Sequence, residues 1–330
     1  MSLDMATDLR AAIERLGASG IGMADPSNGD DLHALLRALY ATGRLDLPLG
    51  RLLEGHVDAV QIVHRYGDAS QRAGLAAAIG AGAMLGVWNA GLPGEPLRLG
   101  GDRLSGGKAY ASGAGVLTHA LVTADGGAGA QLLLLPLDRV VPAIDRTWWR
   151  MTGMQRSETH LVRWHDAMIQ PDDCIGQPGD YAREPWFSGG ALRFVAVQAG
   201  GVAALLDRTR DHLGQTARAA DPFQAARLAE LHMLAARAAG VVRDTASGWF
   251  ATPDATRLPE VAAARLAVLD AAERALTIAR EAVGLSGMFV AHPLAAILSD
   301  LAVYLRQPGP DAQRLRVGAA VADGALTVDL

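Results

Sequence analysis

Cysteine is almost missing from this chain: Cys174 is the only one in 330 residues. That excludes an intrachain disulfide and the usual cysteine-rich zinc site, and it points to a reducing compartment. Blocks of Lys and Arg are missing too, and the formal net charge is −5. A nucleic-acid partner is therefore not expected. The opening "MSLDMATDLRAAIERLG" has charges every few residues and lacks the apolar run of a signal peptide. These absences together imply a cytoplasmic location. One stretch, Ala73 to Leu92, lacks charge altogether. It is mostly Ala and Gly and contains Asn89, so it is too weakly hydrophobic for a membrane span. It reads as a buried helix end running into a buried strand. No internal repeat and no low-complexity tail is present.

What is there is a globular mixture, with 50% hydrophobic and 20% charged residues. Three regions differ in pattern. Residues 1–80 read as a short helical domain: "LRAAIERL", "DDLHALLRALYATG" and "LEGHVDAVQIVHRYG" carry apolar residues at helical spacing and stop at glycines. Residues 81–182 read as a β domain, because "AMLGVWNA", "LVTA", "QLLLLPL", "RVVPAI" and "THLVRW" are short apolar runs broken by Gly, Pro and Asp. Residues 183–330 return to long Ala- and Leu-rich amphipathic helices, with Pro222 and Pro259 near helix starts.

The most unusual short stretch is "GDRLSGGKAYASGAG", Gly101 to Gly115. A phosphate-binding Walker loop needs Gly, four residues, then Gly-Lys-Ser/Thr and a helix. Here Gly107 intervenes between Gly106 and Lys108, Ala109 replaces the hydroxyl residue, and a strand pattern follows. The glycines fit a hairpin better, where they serve turns and close packing.

Several stretches, taken in order, resemble the acyl-CoA dehydrogenase superfamily over nearly the whole chain. They are "RLLEGHVDAVQIVHRYG", "MLGVWNAGLPGE", "LSGGKAYASGAGVLTHALVTA", "MTGMQRSETHLVRWHDAMIQPDDCIG", "FQAARLAELHMLAARAA" and "GLSGMFVAHPLAAILSD". The resemblance implies an α+β fold: an N-terminal helical domain, a central β-sandwich or barrel, and a C-terminal four-helix bundle. It also implies a flavin, FAD in the first instance, with FMN or no bound flavin as alternatives.

The same resemblance assigns residues. Trp88, Asn89, Ala111 and Ser112 match flavin-facing positions on two strands, where small residues let a flat ring approach the backbone. A large aromatic is usual in the second strand, and Ala111 departs from it. Gln224, Gly284 and Gly287 match positions around the adenosine end of FAD, which comes from a neighbouring subunit. Arg218 is the candidate partner for the pyrophosphate. The implied assembly is a homodimer or homotetramer acting on a small molecule, an acyl-CoA or a related compound.

The catalytic glutamate implied by the resemblance is absent. Its two customary positions fall on Pro308, eight residues after Asp300, and on Leu192, just before Arg193. Neither can accept an α-proton, a step that needs a positioned base. His292, Tyr304 and Glu184 are the weak substitutes. Three readings follow: thioester oxidation with a displaced base, two-component flavin monooxygenation, or a non-catalytic binding protein.

Overall fold

The computed structural model describes residues 4–19, 21, 23, 25–251, 254–307 and 309–328. Pro308, one of the two base positions, lies outside the described residues. Four helices come first: α1 (Met5–Ala18), α2 (Gly29–Leu45), α3 (Leu47–Tyr66) and α4 (Ala69–Gly80). Polar side chains set their starts, as the acidic openings of the sequence suggest. Asp4 caps α1, Asn28 caps α2, and Asp68 with Gln71 forms a reciprocal capping box on α4.

The strands are β1 (Leu85–Trp88), β2 (Arg98–Gly100), β3 (Arg103–Ala111), β4 (His119–Gly126), β5 (Gly129–Pro136), β6 (Ala143–Asp145), β7 (His160–Met168) and β8 (Cys174–Ile175). They form one sheet in the order β6-β7-β3-β2-β4-β5-β8, with β1 running parallel to β4. The remaining helices are α5 (Trp186–Gly189), α6 (Ala191–Gln215), α7 (Pro222–Ala251), α8 (Leu258–Val283), α9 (Pro293–Tyr304) and α10 (Pro310–Ala322).

The chain divides into two compact units. The first comprises Met1–Pro26, Arg51–Arg150 and Gln155–Arg183; the second comprises Ser27–Gly50, Met151–Met154 and Glu184–Leu330. In the first, one face of α3 (Ala59, Val60, Ile62, Val63) packs with Leu85, Leu121, Leu132 and Ile175 of the sheet. In the second, α6 is central and packs against α2, α7, α8 and α9. The short segment Met151–Met154 docks on α9. A Cβ on Gly153 would lie 2.1 Å from the Ser299 carbonyl oxygen, and the Met154 N–H donates to Asp300 at 2.5 Å. Asp300 is thus used to hold a chain crossing.

Two local readings change. The uncharged Ala73–Leu92 stretch does enter a buried strand, but its helix α4 is a surface helix in which Leu75 alone is buried. Alanine is small enough to be tolerated in water, so an Ala-rich run does not fix burial. "RVVPAI" forms only the short β6 at its end. The one helix among the described residues that is long and apolar enough to cross a membrane runs Trp186–Gln215, and 78% of its apolar window is buried inside the protein.

The glycines of "LSGGK" are spent inside the sheet. Gly106 has φ +105°, and its Cβ would sit 2.2 Å from the Pro96 carbonyl oxygen; one on Gly107 would meet the Val162 oxygen at 2.7 Å. The register between β3 and β7 shifts there, the mark of a bulge.

Candidate functional site

In the first unit, the end of β1 and the end of β3 converge. The Trp88 indole N–H donates to the Ser112 carbonyl oxygen at 2.9 Å. Trp88 is only 1% exposed and tilts against Trp164, so its side chain belongs to the core. Ala111 is likewise fully buried. These two residues offer backbone to the site, not side chains.

Asn89 follows β1 and is exposed. Its two oxygens are already engaged. Lys108 Nζ donates to the Asn89 main-chain oxygen at 3.1 Å and to Thr123 Oγ1 at 2.9 Å, and Thr123 passes its own proton to Asn89 Oδ1 at 2.8 Å. Because Thr123 accepts from an ammonium, its hydroxyl must donate onward, and that fixes the orientation of the Asn89 amide. The NH₂ group is what Asn89 presents. Lys108 is the chain's single lysine and is buried. Burial pushes its pKa down to about 8, with Asp125 opposing part of the shift.

A second relay ends on Ser112. Ser157 Oγ lies 2.7 Å from Thr159 Oγ1, which donates to Ser112 Oγ at 3.1 Å. With that polarity, each hydroxyl passes a donor along, and the proton left over is that of Ser112. Asn89 and Ser112 therefore both present donors. They suit the acceptor edge of a flat heteroaromatic ring, and a flavin has such an edge.

The second shift in β3–β7 register lies between Lys108 and Ala111. It turns Tyr110 outward, at φ +53° and 58% exposed. The Tyr110 ring stands edge-on to Trp148 at 4.9 Å and Trp149 at 6.3 Å. So the second strand does carry a large accessible aromatic, one residue before the position assigned to it. Opposite Ala111 sits His160, buried, with Nε2 3.1 Å from Glu158 Oε2 and no partner on Nδ1. Glu158 also pairs Arg146 at 3.0 Å. Sequence reasoning missed Tyr110, Thr159 and His160. Strict alternation along "KAYAS" would have placed Tyr110 and Ser112 on one side and Ala111 on the other.

In the second unit, Gln224 is buried near the start of α7 and its Oε1 has no partner. Gly284 ends α8 at φ +72°, ψ −154°, a backbone conformation suited to glycine. The start of α7 and the end of α8 lie side by side, as the Arg227–Glu281 pair at 3.8 Å shows. Gly287 is buried, and a Cβ there would press on Val283 at 2.9 Å, so it serves packing. Arg218 is exposed, and its charge helps lower the pKa of His212, after burial and His292.

Two of the substitute bases, His292 and Glu184, are engaged locally. His292 accepts from the Leu294 N–H, capping α9, and its other ring nitrogen lies 3.0 Å from His212 Nδ1. Glu184 is exposed and accepts from the Ser188 N–H. Tyr304 is buried, and its main-chain oxygen accepts from Gln198. Leu192 is 2% exposed in the first turn of α6. Among the described residues, no cluster of His, Cys, Asp and Glu could hold a metal ion.

No family model matches the sequence, and no curated protein matches it. Solved structures do match the fold. Butyryl-CoA dehydrogenase from Megasphaera elsdenii aligns with a TM-score of 0.80 and 17% identity, over 96% of this chain and 89% of that one. TdsC from Paenibacillus sp. A11-2, solved with FMN and indole, aligns with a TM-score of 0.76 and 16% identity, over 98% and 96%. KijD3, solved with FMN and an amino-deoxysugar dTDP, aligns with a TM-score of 0.73 and 23% identity, over 91% and 81%. The chain has the acyl-CoA dehydrogenase fold.

Proposed function

We propose that this chain is a flavin-dependent oxidoreductase that works without a carboxylate base on α6. The observation that carries the reading is the pair of relays ending on Asn89 and Ser112, which aim two hydrogen-bond donors from adjacent strand ends. Those donors would hold the acceptor edge of the flavin ring, with Tyr110 as an aromatic neighbour. Gln224 and the Gly284 turn would receive the adenosine end of the cofactor held by a neighbouring copy. FAD is the expected form; TdsC and KijD3 are solved with FMN, which makes FMN the alternative. Bound, the flavin supplies hydride transfer or oxygen activation.

The substrate in this reading is an acyl-CoA or a related small molecule. Leu192 favours a second version, in which reduced flavin is used with oxygen and no α-proton need be removed. A buried leucine offers no proton acceptor, and losing a general base forfeits about 10²–10⁴ in rate. The reading includes a cytoplasmic homodimer or homotetramer. Leu285, Phe289 and Val290 are 80%, 66% and 97% exposed around the Gly284 turn, an apolar surface that a second copy would cover.

The visible spectrum of the purified protein tests the cofactor: a yellow protein, or a colourless one that takes up added reduced flavin, is expected. A colourless protein that ignores flavin leaves only a non-catalytic role. Pro308→Glu tests the missing base. It is expected to create or raise anaerobic bleaching of bound flavin by an acyl-CoA panel, and no change with any chain length contradicts the placement of that residue. Light scattering that returns a monomer removes the shared cofactor site from the reading.

A further inference from the structure

Lys108 carries an ammonium into the sheet, where it is 4% exposed on β3. Among the described residues it makes no ion pair. Its two hydrogen-bond acceptors are neutral: the Asn89 main-chain oxygen at 3.1 Å and Thr123 Oγ1 at 2.9 Å. Asp125, exposed on β4, acts on it only through space. Burying a cation without a carboxylate is costly, and a hydrocarbon side chain in the same place would avoid that cost. The charge is nevertheless kept at pH 7, since burial lowers the Lys108 pKa only to about 8.

The bonds leading away from that charge all run one way. The ammonium donates to Thr123, Thr123 donates to Asn89 Oδ1 at 2.8 Å, and the exposed Asn89 NH₂ is left to donate outward. Donors aligned head to tail polarise one another, so a cation at one end makes the last N–H a stronger donor. The second ammonium bond holds the main chain of the same asparagine. Orienting an amide needs only a neutral partner. A charge adds a field at the edge of whatever the amide holds, and in a partly dry setting that field is weakly screened.

Such a field distinguishes the redox forms of a flavin. The oxidised ring is neutral, whereas the reduced ring is richer in electrons at its acceptor edge and readily loses a ring proton to become an anion. Charge beside that edge is one of the ways a protein tunes the cofactor. We propose, on the flavin reading of the site, that Lys108 is a positioning residue that acts through Thr123 and Asn89 to make the site bind reduced flavin more tightly than oxidised flavin. The buried cation then has its partner when reduced flavin is bound, and its desolvation is offset there.

The test uses the purified full-length chain in anaerobic titrations at pH 7 with FMN and FAD, each oxidised and dithionite-reduced. The wild type is expected to bind the reduced form more tightly. Lys108→Met is expected to cut the ratio of reduced to oxidised affinity by about tenfold, the size of one charge acting at short range in a partly dry site. A lysine with a merely structural role would lower both affinities alike and leave the ratio unchanged. If Lys108→Met does not fold, Thr123→Val decides instead: it is close in shape, breaks the chain of donors at its middle, and is expected to lower the same ratio. An unchanged ratio in the deciding variant, or a wild type that binds oxidised flavin at least as tightly as reduced, overturns the proposal and leaves the flavin reading standing. Saturation by none of the four ligands removes the flavin reading and the proposal with it.

Discussion

Gly200→Val is expected to cost about 3 kcal/mol or more, at the upper end of overpacking effects. The reason is that α2 and α6 meet backbone to backbone. A Cβ on Gly200 would lie 2.1 Å from the Tyr40 carbonyl oxygen, and one on Gly43 would lie 2.2 Å from the Val197 oxygen. Backbone oxygens inside packed helices cannot rotate away as a side chain can. The helices would have to separate along a contact whose α6 face is buried from Val195 to Leu205. Gly214 is the internal control. It is exposed near the end of the same helix, and a Cβ there meets nothing within 4 Å. Gly214→Ala should stabilise by roughly 0.5–1 kcal/mol, the helix-propensity difference. Urea unfolding of the two variants separates the readings: equal, small effects would mean that the helices do not touch at Gly200.

The second large effect is a pH dependence that originates in His56. This residue is fully buried on α3, and its Nδ1 accepts from the Leu85 N–H at 3.1 Å, tying β1 to the helix. Its Nε2 has no partner. Burial lowers its pKa from 6.5 to about 4. The folded pKa is depressed, so the unfolded chain takes up the proton first. Stability is therefore full above pH 6.5 and falls as pH drops from 6.5 towards 4, by about 3 kcal/mol at most. His56→Asn places an acceptor where Nδ1 was and removes the titration. Denaturant unfolding of both proteins between pH 7 and 4.5 should show the wild type losing stability relative to the variant. Parallel curves would mean that His56 is already protonated or exposed when folded.

How much of this was legible in the sequence differs by level. The helical and β stretches and the fold class could be read from periodicity and from the order of the stretches, because each long element keeps its pattern. Membership in a compact unit could not. Helix α2 joins the second unit while α1 and most of α3 lie in the first, and nothing in the local pattern of "DDLHALLRALYATG" reports which partner covers its apolar face. At the candidate site, Asn89 and Ser112 were reached through the family resemblance, since polarity alone does not distinguish them from other turn residues. Tyr110 was hidden by the register shift after Lys108. A bulge changes which residue faces outward, and it is set by the partner strand β7. Thr159 and Ser157 read only as the approach to a strand, since their hydroxyls matter through a contact with Ser112 that spans 47 residues for Thr159. The single lysine was a visible signal that could have marked the Asn89 network, because a chain that otherwise uses only arginine places its one ammonium in a buried position.

Equilibrium titration with FMN and FAD, oxidised and anaerobically reduced, bears most directly on the claim that strand-end donors hold a flavin ring. The account predicts one-to-one saturation with at least one of these forms, and about tenfold weaker binding in Ser112→Ala, the loss of one hydrogen bond to the ring. Failure of every form to saturate, or a Ser112→Ala affinity equal to the wild type, would contradict it.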